Sequence, residues 1–208
     1  MRTRCLALLA LAVLVPTVVA QERSGPKKNP TFPEAIEQAK KAVEADKLGA
    51  AIAALQAAIR DLQKKQRTRI LAALPKPEGW EIQDPAQDDA SADIAASMLG
   101  GGHSVTREYR KGDDKSLSIE VTANSPLMQM MAMMFNNPAL IEADGGEVVK
   151  YGPHKAILKK NGDSGHELML LMHDTHLIKV TCQGITADDM LKVFDQACVD
   201  RLEKPLGK

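Results

Sequence analysis

The sequence predicts an α+β protein: an N-terminal helical hairpin followed by a mostly antiparallel sheet of five to seven strands, covered by a Met-rich helix and a C-terminal helix. Three observations carry this. Residues 166–173 and 176–182 are strand-length apolar runs joined by Asp174-Thr175, a two-residue hairpin connection. Residues 34–74 are rich in Ala, Lys, Glu and Gln, with apolar residues at helical spacing. Residues 186–204 open on a capping pattern and keep one apolar stripe.

The chain begins as a signal peptide should. Met1-Arg-Thr-Arg4 is basic, residues 5–15 are apolar, and Val18-Val19-Ala20 offers a small-residue cleavage site. The apolar run is shorter than the ~20 residues a spanning helix needs, and Pro16 interrupts it. Cys5 lies inside that run and not at the cleavage point, which argues against a lipid anchor. The expectation is cleavage after Ala20 and a periplasmic or secreted product, with no later stretch apolar enough to span a membrane. Arg2 and Arg4 belong to the leader, so 25 of the 27 basic residues remain against all 27 acidic ones. That balance, with aromatics at 3%, argues against nucleic acid as the main partner, because phosphate binding needs a concentrated basic surface and base stacking needs rings. Residues 21–33, with three prolines, read as a flexible tether.

Within residues 34–74, Ile36, Ala39 and Val43 form one stripe. Leu48, Ile52, Leu55, Ile59 and Leu62 form another, at alternating spacings of four and three, the seam of a coiled coil. The two stripes do not share a register, so the chain must turn near Asp46-Lys47-Leu48-Gly49. The pattern around Leu48, Ala51-Ile52, Leu55 and Ala58-Ile59 resembles one tetratricopeptide unit, but no second copy follows. A single hairpin packed on its own domain or on a second subunit is expected, so a homodimer through this hairpin is one arrangement the seam allows. Arg60, Lys64, Lys65, Arg67, Arg69 and Lys76 cluster at its end. They suit anionic lipid or glycan, yet cations at a helix C-terminus serve its dipole equally well, and that simpler role is preferred.

Pro75 and Pro77 stop the helix and open a sheet domain over residues 75–208, with a first strand at 80–83. Residues 84–93 are an acidic loop. Gly100-Gly101-Gly102 lacks the Gly-Lys-Ser/Thr ending of a phosphate loop and reads as a turn. Residues 103–110 and 116–123 pair around Lys111-Gly-Asp-Asp114, and Leu117, Ile119 and Val121 alternate with polar residues. Residues 126–137 form the Met-rich helix, with Ser125 as cap, Pro126 in first position and Asn136-Asn137-Pro138 as stop. Strands at 147–151 and 154–160 follow, closed by Asn161-Gly162. In the last hairpin His173 and His176 are expected to face each other. Met169, Leu171, Ile178, Val180 and Cys182 then share one face, and Leu168, Leu170, Met172 and Leu177 the other. Thr186 is the N-cap of the closing helix, with Asp189 at N3, Ile185 and Met190 as a hydrophobic staple, and Leu191, Phe194, Cys198 and Leu202 as its stripe.

No motif announces catalysis. There is no Gly-x-Ser-x-Gly elbow, and His166-Glu167 lacks the second His of His-Glu-x-x-His. No catalytic or cofactor-binding residue is assigned. The leading expectation is an exported, non-catalytic binding or scaffold module of the cell envelope, acting through an apolar surface, with the Met-rich helix and the hairpin as candidates, on an envelope protein or apolar ligand. The alternative is a soft-metal protein. Thioethers select Cu(I), and Met130, Met133 and Met134 lie one turn apart or adjacent, with His173 and His176 as a second ligand pair and His166 on the neighbouring strand. Methionine as core filler is the simpler account. A hydrolase using His173, Asp174 and a hydroxyl is a second alternative. Cys182 and Cys198 could bridge, closing a loop of roughly 15 residues worth about 3 kcal/mol. A helix lying about 10 Å from a sheet keeps their Cα atoms apart, so two apolar core thiols are the other reading.

Overall fold

The computed structural model describes residues 29–84, 102–123 and 127–207, without the side chains of residues 127, 129, 130 and 134. The leader over 1–20, most of the tether, the acidic loop beyond Asp84 and the first two residues of the glycine triplet lie outside the described residues.

Helix α1 spans Phe32–Glu44 and α2 spans Leu48–Ala73, so the tether ends two residues earlier than expected. Thr31 explains the early start. Its backbone N–H donates to the Glu34 carboxylate at 2.8 Å, and Pro33 sits in the first turn, where a missing N–H costs nothing. The turn falls at Ala45–Lys47, with Asp46 at φ 56°, as the change of stripe requires.

A seven-stranded antiparallel sheet follows: β1 (Glu81–Gln83), β2 (His103–Lys111), β3 (Lys115–Ala123), β4 (Gly146–Tyr151), β5 (His154–Asn161), β6 (Gly165–Met172) and β7 (His176–Gln183). Its order is β1-β2-β3-β7-β6-β5-β4, so β7 joins a first meander to a second. Between β3 and β4 the chain forms α3 (Leu127–Phe135) and α4 (Pro138–Ala143). The latter was not foreseen, because six residues are too few to show a helical period, and Pro138 serves as its start as well as the stop of α3.

The last hairpin is one residue out of the expected register. Met172 pairs with His176, leaving His173, Asp174 and Thr175 as a three-residue connection. A two-residue turn would need positive φ at Thr175, which a β-branched residue resists. Here His173 (φ 52°) and Asp174 (φ 55°) take that conformation instead, and both residue types tolerate it. A one-residue slip exchanges faces. Leu168, Leu170 and Met172 therefore join Ile178, Val180 and Cys182 in the main core, while Met169, Leu171 and Leu177 face the other way.

The closing helix is also not continuous. It divides into α5 (Ala187–Val193) and α6 (Gln196–Glu203). Asp195 is the reason: its carboxylate accepts from the Cys198 N–H at 2.8 Å and starts a second helix, where a mid-helix Asp would compete with the backbone. The break turns Phe194 into the core beside Tyr151, with ring centroids 5.8 Å apart, and the Tyr151 hydroxyl donates to the Phe194 carbonyl at 2.9 Å. The cap at Thr186 forms as expected, with Thr186 Oγ1 accepting from the Asp189 N–H, and Ile185 packs against the core that includes Met190. Where the chain leaves β7, Gly184 (φ +71°) lies against the Asp114 carbonyl of the β2–β3 turn, leaving no room for a Cβ.

One face of the sheet thus carries the main core, closed by Met190, Phe194, Cys198, Val199, Leu202 and Leu206, with Ile70 and Ala73 of α2 and Leu74 just beyond it. The opposite face carries a smaller core over β5 and β6, where Ile157, Met169 and Leu171 meet Met128, Phe135 and Ile141 of α3 and α4. Cys182 and Cys198 are both free and buried in the main core, so the bridge weighed above is not formed. Burial pushes the Cys198 thiol up to about 12 and raises that of Cys182, which leaves both poor nucleophiles.

Candidate functional site

The hairpin of α1 and α2 packs through its small residues. Ala35 and Ala39 of α1 and Ala51, Ala54 and Ala58 of α2 are the buried positions over the paired part, and they let the helices approach closely. Asp61 of α2 fastens the start of α1 by accepting from the Phe32 N–H at 2.9 Å and pairs with Lys65 at 2.8 Å. Asp61 is thereby held below the usual carboxylate range, chiefly by its hydrogen bond to Lys65. The alanine side therefore satisfies the hairpin internally.

The large residues of the same helix point away. Leu48, Ile52, Leu55, Ile59 and Leu62 are 59%, 57%, 45%, 54% and 47% exposed. This is the coiled-coil seam of the sequence, complete and uncovered among the described residues. Its position follows from the geometry of α2. Ile70 and Ala73 enter the main core, Gln66 donates to the Pro205 carbonyl at 3.0 Å, and Arg201 donates to the Ala73 carbonyl at 3.1 Å. These links to the sheet lie in the last turns of α2, whereas the seam occupies its first four.

A second cluster lies at one end of the sheet. The register places His103, Ala123, His176 and Met172 in one row across β2, β3, β7 and β6. His176 is buried and its Nε2 lies 2.8 Å from the Leu206 carbonyl. His173 stands edge-on to both His154 (5.6 Å) and His176 (6.5 Å), and His154 Nε2 lies 3.0 Å from Glu203. Four of the five histidines thus gather under the C-terminal tail. Burial lowers the pKa of His176, against the Leu206 carbonyl contact that raises it, and burial lowers that of His103, with Arg67 and His176 nearby adding to the effect. Neither ring nitrogen of His103 has a hydrogen-bond partner among the described residues. Sequence reading missed His103 and His154, because only the strand register brings them to this end.

The proposed metal ligands are divided. Met133 is 68% exposed on α3, while Met130 and Met134 lie outside the described side chains. His173 is exposed in the turn and does not sit opposite His176. His176 faces the main core, and α3 packs on the other side of the sheet. His166 pairs with Cys182 at the far end. Among the described residues no three His, Cys, Asp or Glu side chains form a group that could hold a metal ion. As for the hydrolase set, Thr175 directs its hydroxyl to the His173 carbonyl at 3.2 Å, and His173 and Asp174 are exposed beside it.

At that far end a shallow groove of about 690 Å³ is lined by Lys115, Ser164, His166, Thr186, Asp188 and Asp189, a mixture of both signs without a buried charge. Across the second face, Glu167 is buried between Lys159 (3.4 Å) and Lys179 (3.2 Å), an ion-pair network inside the sheet surface. Among the described residues no helix is long and apolar enough to cross a membrane.

No protein-family model and no curated protein matches the chain. Protein CV1439 from Chromobacterium violaceum, a solved structure, is similar over 69% of this chain and 88% of its own at 11% identity, with a TM-score of 0.22, too low to carry an argument about fold or function.

Proposed function

We propose that the chain is an exported, non-catalytic binding or scaffold module of the cell envelope, and that its docking surface is the outward stripe of α2. One observation carries the reading: five large aliphatic side chains at coiled-coil spacing, each about half exposed, on a helix whose own partner is already satisfied through alanine. Isolated exposed aliphatics need no explanation, but a contiguous row does. Burying the exposed half of each side chain is worth about 1 kcal/mol, so the row offers about 5 kcal/mol per copy before the cost of association. Export rests on residues 1–20, and the free, buried thiols are compatible with an oxidising compartment because burial protects them.

The test is a photo-cross-link in the producing cell, with Leu55→p-benzoylphenylalanine. The expected result is a discrete cross-linked species, to this chain or to another protein. No cross-linked species at all would remove the stripe as a docking surface.

A further inference from the structure

We infer that the occupant of the stripe is a second copy of this chain, the two α2 helices lying parallel over residues 48–62 as a short left-handed coiled coil; this rests on reading the stripe as the docking surface. The residue choice is specific. Leu48, Leu55 and Leu62 fall at heptad position d, and Ile52 and Ile59 fall at position a. Ile at a with Leu at d is the combination that favours two parallel strands, because β-branched side chains fit the a layers and leucines the d layers of that geometry.

The flanks agree. The e positions are Gly49, Gln56 and Gln63, and the g positions over the same stretch are Ala51 and Ala58. Ala51 and Ala58 are already buried in the hairpin, so on that side no charged side chain would meet the partner's Gln56 and Gln63. Nothing there repels a second copy, and no charge is present to select a different protein, which is how hetero-specific coils choose their mates. Arg60 and Lys64 fall at b and f, away from the seam. The nearer of the flanking faces is already covered by α1 through its alanines, so each copy brings a finished hairpin and the pair forms a four-helix arm.

The seam also ends where the fold needs it to. The next a and d positions are Gln66 and Arg69, and Gln66 is turned to Pro205 of its own tail. Two like-charged Arg69 side chains would part the helices there, leaving room for each sheet. The paired length, from residue 48 to 62, is about 21 Å. Enclosing both stripes removes on the order of 1,000 Å² from water, the size at which specific interfaces begin. A reversible dimer follows, not an obligate one.

The test uses protein produced from the full 208-residue sequence, followed by sedimentation equilibrium over a concentration series. A monomer–dimer equilibrium is expected, with its dissociation constant raised about a hundredfold or more by Ile52→Glu combined with Ile59→Glu. Both positions are exposed in the single chain, so an unchanged circular dichroism spectrum and melt show that the variant still folds. Orientation is read with Leu62→Cys, since the native thiols are buried. A parallel pair cross-links through Cys at position 62 of both copies on oxidation. Cross-linking only between Leu48→Cys and Leu62→Cys chains would overturn the parallel arrangement. A dimer that survives the two glutamates would overturn the seam as its interface. A monomer at every concentration, with the in-cell cross-link from Leu55 reaching another protein, would overturn the second copy and leave the docking surface standing. A monomer with no such cross-link would overturn both.

Discussion

The closing helices and α2 show the same helical periodicity of apolar residues and put it to opposite uses. On α5 and α6 and at the break between them, Met190, Leu202 and Phe194 are fully buried. On α2 the buried positions over the hairpin are alanines, and the leucines and isoleucines stand in solvent. In the first region burial is completed within the chain. In the second the chain buries its small residues and leaves the large ones exposed among the described residues.

Substitutions can break that contrast, and the largest effect is expected in the closed region. Phe194→Ala removes a fully buried ring from Tyr151 and should cost about 3–5 kcal/mol. A urea melt showing a loss under about 1 kcal/mol would mean that the core does not close as described. Tyr109→Phe comes next. The Tyr109 hydroxyl donates to the Pro75 carbonyl at 3.0 Å in a buried site, so its loss should cost about 1–3 kcal/mol by orphaning that oxygen. Asp195→Ala should cost about 1 kcal/mol, the usual loss of an N-cap. If it instead stabilises the protein and raises the helical signal, the break between α5 and α6 is not set by the cap.

The histidine end sharpens the comparison through pH. His103 and His176 both have folded pKa values below the ordinary 6.5. Below about pH 6.5 the unfolded chain therefore binds protons that the folded chain refuses, and stability falls as the pH drops towards the folded values. Above that window their contribution is constant. The urea midpoint should decline between neutral and mildly acidic pH, and less so in His176→Gln. An equal decline in both proteins would count against this ring. The smallest effect belongs to the arm: Leu55→Ala, measured at high dilution, should change stability by less than about 0.5 kcal/mol. A core-sized loss would show that the stripe is packed within its own chain.

Much of this architecture was legible in advance. The helical hairpin, the strand pairs around Lys111-Gly-Asp-Asp114 and Asn161-Gly162, and the cap at Thr186 each depend on residues a few positions apart, and the structure has them. The failures involve choices between near-equal local options. The sequence allowed Asp174-Thr175 as a two-residue turn, and the cost of positive φ at Thr175 moved the register by one and exchanged the faces of β6. Asp195 could have stayed in a continuous helix, but it caps a second one instead, and the break places Phe194 beside Tyr151. The candidate site was half visible: the seam could be read, but not its exposure.

By itself the chain determined where the hairpin and most strands lie and that α2 carries a heptad seam, because periodicity and capping act over one or two turns. Only the tertiary structure decided which side of α2 is covered and which histidines meet. Those depend on what arrives from elsewhere: α1 chose the alanines, and the sheet register aligned His103 with His176 across 73 positions of sequence. The spacing of leucine and isoleucine showed the stripe, and only the arrangement of the described residues showed that it stays exposed.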